Sequence, residues 1–572
     1  MIRTNLLLAG DDGGYNLTKS LRFRSSASAY LNRTFGTPTS GTTWTFSAWI
    51  KFGTVGAGTL FSAGTGATNT FNRCTFGQVS TELNWRQVNG AGSLTAEKGT
   101  SMLFRDPSAW YHIVCVWDTN NATSSDRQRV YVNGVRVTSF GANTDPSSGL
   151  VSYFNTSSYA HYIGALNLSG LSTYFDGYQT EINFIDGQAL TPSSFGSTNA
   201  TTGVWQPAKY TGTYGTNGFY LPFTNTTSTT TLGYDFSGNS NNWTTNYLSL
   251  TAGSTYDSMN DVPTLTSATT ANYCVLNPLT NGSFTTLSGA NLNTLGNSSS
   301  NNGNSRSSFA MITGKWYIEA TLTAGSVGTY PQYGIVTSAD GNRPNNGPPQ
   351  AGYASGLINP TQSVAYFSDG TKQINGSATS YGNSYTNGDV IGIAIDSDNG
   401  AIYFSKNGTF QNSGVPTSGV SKTGAALTWT GGTVEHMLSI AEYNGSSSAT
   451  NFGQRPFAYT PPTGFVALNT YNLPTSTIVK GNTVMDATTY TGNGATQSIV
   501  NTAGFKPDFV WVKGRSNVID HILFDSVRGV TKRIYTNGTF AEDTDANSLT
   551  SFNNNGFTYG SGAGNNSSQT FV

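Results

Sequence analysis

The sequence predicts an all-β protein of short antiparallel strands joined by polar turns, and three observations carry that reading. Charged residues fill only 10% of the 572 positions, against roughly a quarter in an average domain. Ser, Thr, Asn and 67 Gly take their place; these residues close turns and compete with helical hydrogen bonds. The 30 Tyr and 31 Phe favour pleated, half-buried surfaces. Finally, apolar and polar residues alternate over short runs separated by Asn-Gly and other turn signals, as half-buried strands and tight hairpins require.

The length predicts three or four domains. Twenty-eight basic residues nearly balance 29 acidic ones, and no basic run marks a nucleic-acid partner. A near-neutral surface of hydroxyls and amides suits sugars or proteins instead. Cys74, Cys115 and Cys274 show no metal-ligand spacing. Cys115 falls in an apolar strand as a small core residue, and a Cys74–Cys115 disulfide is left open. The opening MIRTNLLLAGDDGGY has too short an apolar run for a signal-peptide core, and no later stretch spans a membrane. An external-looking protein of this kind is expected to leave its host by lysis.

Residues 20–223 form the first module. Its strand candidates are SLRF (20–23), WTFSAWIKF (44–52), TLFSAG (59–64), TELNWRQV (81–88), WYHIVCVWD (110–118), RQRVYVNGVRV (127–137) and FDGYQTEINFIDGQAL (175–190). Asn133-Gly134 supplies a hairpin turn, and Trp49, Trp117 and Phe184 are expected to face cores. The order of these motifs resembles the laminin-G-like, concanavalin-A-like jelly roll. Some relatives bind calcium and glycans at the sheet rim, but their ligand residues have no match here.

Residues 224–306 are rich in Ser, Thr, Asn and Gly, yet LGYDFSGNSNNWT (232–244) and DVPTLTSATTANYCVLNPLT (261–280) carry periodic aromatics and apolars. This predicts an ordered, extended connector packed on its neighbours. Residues 307–474 contain GKWYIE (314–319), GDVIG (388–392) and FSKNG (404–408), with hairpin turns at Asn399-Gly400 and Asn407-Gly408. This set resembles the SPRY β-sandwich, a protein-interaction module. Residues 475–572, with FKPDFVWVKGRS (505–516), resemble a small β module of phage structural proteins; its end at SSQTFV reads as the start of a strand, so it is expected to be incomplete. Residues 1–19 are expected to dock the chain to a particle.

A glycosidase needs two carboxylates on one strand face. The nearest pair, Glu181 and Asp186, has an odd separation that sets it on opposite faces unless a bulge intervenes. Asp396-Ser397-Asp398-Asn399-Gly400 has half the oxygen pattern of a calcium loop and reads better as a turn, as does Asp11-Asp12-Gly13-Gly14. His112, His161, His436 and His521 lack a nucleophile or zinc motif, and no phosphate loop is present. No cofactor, metal or catalytic group is expected. The binding candidates are loop aromatics: Tyr153, Phe154, Tyr159 and Tyr162 in the first module, and Tyr330, Tyr333, Tyr381 and Tyr385 in the SPRY-like one.

The combined motifs resemble bacteriophage structural proteins. That resemblance implies a virion tail fibre or adhesion appendage, not an enzyme, which binds a host-surface glycan or protein and other virion proteins. Nucleic acid and membrane insertion are not expected; a homo-oligomer is, with a trimer as the form common among fibres. The alternatives are a head or tail decoration without a receptor role, and a depolymerase of envelope polysaccharide.

Overall fold

A computed structural model describes residues 14–53, 58–77, 81–298, 303–325, 330–342, 359–561 and 566–572. The chain forms two compact units: Met1–Ser197 with Trp205–Thr475, and Thr198–Val204 with Ser476–Val572. The fold is all-β, with tandem antiparallel sandwiches in the first unit and a small β module in the second.

The first sandwich pairs two eight-stranded sheets. One runs Val135–Arg136, Gln128–Val132, Trp110–Asp118, Thr43–Phe52, Gly177–Asp186, Ser20–Phe23, Ser258–Met259, with Phe219–Leu221 also on Gly177–Asp186. The other runs Phe140–Thr144, Leu94–Leu103, Glu82–Val88, Phe71–Phe76, Gly58–Gly64, Ala160–Ile163, Tyr30–Thr34, Thr244–Asn246. Between them Trp44, Trp85, Trp117, Phe61, Phe154 and Phe184 form an aromatic core. Trp117 and Phe184 face this core, as the alternation requires. Trp49 does not: Trp44, Phe46, Ala48, Ile50 and Phe52 take the inward positions, so Trp49 faces out and stacks on His112 at 4.9 Å between ring centroids. It is still buried, in the apolar cluster shared with the second sandwich.

The second sandwich places Thr285–Ser288, Asn293–Gly296, Ser447–Asn451, Lys315–Ala324, Val390–Asp396, Ala401–Lys406 and Thr409–Phe410 in one sheet, with Leu427–Thr428 also on Ala401–Lys406. The other sheet holds Gly303–Arg306, His436–Glu442, Gln332–Thr337, Val364–Phe367, Thr371–Ile374 and Ser377–Ser380. Asn407 and Gly408 both take positive φ (49° and 81°), as do Asn133 and Gly134 (47° and 80°), which suits two-residue hairpin turns. At Asn399-Gly400 only Gly400 does (78°), and its N–H donates to the Asp396 carbonyl, closing a longer turn over 397–400.

Residues 224–306 extend all four of these sheets. Thr244–Asn246 and Ser258–Met259 join the first sandwich; Thr285–Ser288, Asn293–Gly296 and Gly303–Arg306 join the second. The two sandwiches are therefore welded face to face by buried polar contacts. Lys51 Nζ, fully buried, donates to Asp261 Oδ2 (2.8 Å), Asn272 Oδ1 (2.7 Å) and the Tyr273 carbonyl (2.7 Å). Arg22 and Arg24 both reach Asp257.

Residues 1–13 of the expected docking segment lie outside the described residues. Residues 14–19 pack on their own fold: the Leu17 N–H donates to Thr264 Oγ1, and Thr266 Oγ1 donates to the Leu17 carbonyl. The second unit has a small core of Ile499, Val510, Val512, Ile522, Phe524, Leu549, Tyr559 and Phe571. The terminal strand Thr570–Phe571 pairs with Tyr490–Thr491 and, through Phe571, bridges to Gly514.

Candidate functional site

The outer face of the Trp110–Asp118 sheet is covered in part by the weld, at Trp49, Trp110 and Tyr178, and in part by residues 189–214, where Phe195 packs on Val114, Val116 and Ile185. The more open face of the first sandwich is that of its second sheet. Side chains on that face follow from strand alternation. In Phe71–Phe76, Cys74 and Phe76 point to the core, which leaves Phe71, Arg73 and Thr75 outward. In Glu82–Val88, Trp85 points in and Asn84 and Arg86 point out.

Register then aligns one row across the whole sheet. Thr244 pairs with Asn32, Asn32 with Tyr162, Tyr162 with Ser62, Ser62 with Arg73, Arg73 with Arg86, Arg86 with Glu97, and Glu97 with Thr144. At a strand spacing of about 4.8 Å the row is about 34 Å long. Near one end four tyrosines gather. Tyr30 lies 6.0 Å from Tyr162, 6.3 Å from Tyr174 and 6.4 Å from Tyr247 between ring centroids. Tyr247 is 67% exposed. The loop over Ser62 is fixed by Ser62 Oγ donating to the Ala165 carbonyl (2.7 Å), and its Asn167 Nδ2 donates to the Tyr162 hydroxyl (3.0 Å). This bond sets the orientation of the ring.

In the middle of the row Arg73 and Arg86 are directly opposite, and the Arg73 guanidinium also sits 5.5 Å over the Phe71 ring. Burial and the Arg86 charge push Arg73 down to about 10, against the opposing pull of Glu97. Glu97 Oε1 accepts from Asn84 Nδ2 at 2.9 Å. The row thus offers flat rings, amides, hydroxyls and guanidinium groups in line: a surface for hydrogen bonding and stacking along an extended polar ligand.

The candidate aromatics divide cleanly. Tyr162 lies on the open face. Tyr153 and Tyr159 are half-buried and pair at 5.4 Å, with the Tyr153 N–H donating to Gln87 Oε1. Tyr330 is 47% exposed, on the second sandwich. Tyr333, Tyr381 and Tyr385 are core residues instead of surface ones, because each hydroxyl is satisfied internally. Tyr333 bonds Ser448 Oγ (2.7 Å), Tyr385 donates to the Pro331 and Tyr366 carbonyls, and the Tyr381 oxygen accepts from the Phe404 N–H. Phe154 is likewise buried, 4.5 Å from Phe61. Sequence reasoning missed Tyr30, Tyr174, Tyr247, Arg73 and Arg86. The available signal was a charge at the centre of each of two apolar strands, FNRCTF and ELNWRQV. It also missed Phe509 and Trp511, 59% and 55% exposed on the second unit.

A bulge does fall between Glu181 and Asp186: Glu181 takes φ 52° and the register shifts there. The two carboxylates nonetheless do not face a common cleft. Glu181 accepts from the Tyr220 hydroxyl (2.6 Å), and burial pushes it up to about 7. Asp186 ties loops together, accepting from the N–H groups of Thr39, Ser40 and Asn217 and from Asn155 Nδ2.

His112 is held between Ser47 Oγ and Trp205 Nε1, and burial lowers it to about 3. His161 stacks on Phe35 at 3.7 Å and is lowered to about 3; His436 is lowered to about 4, again by burial. The Cys74 and Cys115 sulfurs approach to 3.8 Å as free buried thiols.

Asp396 closes its turn by accepting from the Asn399 N–H and side chain, and Asp398 accepts from the Gly314 N–H. Asp11, Asp12 and Gly13 lie outside the described residues. Among the described residues no three His, Cys, Asp or Glu side chains gather as a metal site, and no helix is long and apolar enough to cross a membrane.

Three segments match known families. Residues 25–196 match the concanavalin A-like lectin/glucanases superfamily (Laminin_G_3), residues 315–427 the SPRY domain, and residues 480–572 a domain of unknown function, DUF7483. No curated protein matches the chain. Among solved structures, the SPRY domain of human HERC1 is similar at 16% identity over 28% of this chain and 87% of its own, with a TM-score of 0.21. A heptameric SAP-like pentraxin from Limulus polyphemus is similar at 17% identity over 31% and 80%, TM-score 0.24. A protein of Bacteroides ovatus ATCC 8483, provisionally designated as carbohydrate binding, is similar at 16% identity over 41% and 59%, TM-score 0.27. The first sandwich is thus of the concanavalin-A type and the second of the SPRY type, both binding-type folds.

Proposed function

We propose that this chain is a glycan-binding adhesin whose ligand lies along the open sheet of the first sandwich, carried on a bacteriophage particle as a tail fibre or adhesion appendage. The supporting observation is the register row from Thr244 to Thr144, whose members other than Ser62 keep partly or fully exposed side chains. A ligand running across the strands meets Tyr162, then passes the loop that covers the buried Ser62, and reaches Arg73, Arg86 and Glu97 in succession. The SPRY-type sandwich and the small terminal module then present or anchor this face, with other virion proteins as neighbours and a symmetric homo-oligomer, a trimer among the options, as the assembly.

A depolymerase acting on envelope polysaccharide fits less well. Glu82 and Glu97 share the open face, but Glu82 lies four positions along its strand from Arg86, the residue opposite Glu97. That is about 13 Å, beyond the roughly 9.5 Å that an acid and base can span. A decoration without receptor role leaves the row without a purpose.

The test is binding of fluorescent full-length protein to host cells and to their purified envelope polysaccharide, for wild type and Tyr30→Ala/Tyr162→Ala. Wild-type binding that the double variant loses supports the reading. No binding, or binding unchanged in the variant, overturns it; released reducing ends would make the chain a depolymerase. Absence of the chain from mass spectra of purified particles would overturn the virion assignment.

A further inference from the structure

The arginine pair at the middle of the row sharpens what the open face selects. We infer that Arg73 and Arg86 form an anion seat, so that the glycan bound along this sheet is an acidic one, bearing carboxylate, phosphate or sulfate groups. The inference rests on the proposed glycan-binding role of the face.

The two arginines occupy adjacent strands in direct register, where like charges repel. A folded protein ordinarily relieves such a pair with a carboxylate. Here neither guanidinium forms an ion pair with any acidic group among the described residues. Glu97, opposite Arg86, is turned to Asn84 Nδ2. Both Nε atoms are buried without a hydrogen-bond partner.

Burial makes this arrangement costly. A buried N–H donor without an acceptor, beside a second positive charge, is a standing cost that an incoming oxyanion removes. The environment also strengthens any bond that forms, since a charge-assisted contact is stronger where water is excluded. Two planar forks on strands about 4.8 Å apart match the spread oxygens of a carboxylate, phosphate or sulfate. Tyr162 and Asn32 on one side, and Asn84 and Glu97 on the other, remain for the hydroxyls of neighbouring sugar units. The overall charge of -1 gives no general attraction for anions, so the preference is local to this seat.

Dextran, carboxymethyl-dextran and dextran sulfate share one backbone and differ only in their acidic groups. Biolayer interferometry of the full chain on all three, at low and high salt, separates charge from sugar and carboxylate from sulfate. The charged polymers are expected to bind at least about tenfold more tightly than dextran and to weaken with salt. Arg73→Gln/Arg86→Gln is expected to abolish that preference without lowering the melting temperature. Glu97→Gln, which removes the one acidic group of the row, is expected to tighten binding to both charged polymers. Equal affinity for dextran and the charged polymers overturns the seat, as does a double glutamine variant that binds like wild type. So does a Glu97→Gln variant that binds less tightly, and that measurement stands even if the double variant does not fold. If the seat fails while Tyr30→Ala/Tyr162→Ala still loses host-cell binding, the glycan-binding face survives without its acidic ligand. If the arginine variant loses the charged polymers while the tyrosine variant binds cells as before, the seat stands and the host-cell role of the face falls.

Discussion

Lys51→Met probes the weld between the sandwiches. Lys51 Nζ and Asp261 are fully buried, and the ammonium uses its three donors on Asp261, Asn272 and the Tyr273 carbonyl. Removing the cation leaves Asp261 with two N–H donors, Trp110 Nε1 at 3.0 Å and the Tyr273 N–H at 3.2 Å, and no counter-charge. Breaking one side of a buried pair costs about 3–5 kcal/mol. Burial already raises the Asp261 carboxyl, with Lys51 holding it down; without Lys51 it rises further. A carboxyl raised above its unfolded value binds protons more readily when folded, so stability falls as pH increases. The deficit of Lys51→Met is therefore greatest above the folded Asp261 value and shrinks on acidification. Lys51→Met/Asp261→Asn restores neutrality and keeps the acceptor for Trp110, so it recovers much of the loss. Urea denaturation followed by tryptophan fluorescence from pH 4 to 8 compares both variants with wild type. A deficit below about 1 kcal/mol for Lys51→Met, or one independent of pH, refutes the reasoning.

Further expectations concern single sites. Arg86→Gln relieves the like-charge pair and should raise stability by up to about 1 kcal/mol while weakening anionic ligands; a lowered melting temperature would contradict this. Glu442 accepts from Thr294 Oγ1 and Ser446 Oγ, and burial pushes it up to about 7. The folded state thus holds a proton there that the unfolded chain has lost, and stability declines between roughly pH 4.5 and 7. Glu442→Gln should remove that decline and exceed wild type at pH 8 by an order of 3 kcal/mol, measured by denaturant titration at both pH values. Burial raises the Cys74 and Cys274 thiols, so neither should react with a thiol reagent until the chain unfolds, and rapid labelling of the native protein would oppose this.

What the sequence disclosed was local. Asn133-Gly134 and Asn407-Gly408 are hairpin turns because their geometry depends on two residues. Strand alternation in WTFSAWIKF correctly separates the faces, yet it does not say which face meets the core between the two sheets, and Trp49 went to the apolar cluster shared with the second sandwich. Tyrosine gives equally little warning. Tyr333, Tyr381 and Tyr385 have the same composition and flanking turns as an exposed loop aromatic, and only the partner of each hydroxyl decides burial. The row on the open sheet was illegible for a different reason. Its eight members come from eight separate strands, and a register slip of one residue would turn any of them to the other face.

The connector determines which face can act. A concanavalin-type sandwich has two outward sheet faces, and composition does not distinguish them. Residues 224–306 do so by placing Asp257, Asp261 and Tyr273 against Arg22, Lys51 and Trp110 on one sheet. That sheet also carries Glu181, a carboxylate that burial pushes up to about 7, enclosed by Tyr220 and by Tyr15 of the amino-terminal segment. Acid–base chemistry on a polymer needs an accessible carboxyl of this kind, and here burial both raises it and removes it from reach. The open sheet has the reverse character: reachable side chains, an unrelieved arginine pair, and acidic groups too far apart to cooperate across a glycosidic bond. The perturbed carboxylate and the face proposed for recognition thus lie on opposite sheets of the first sandwich.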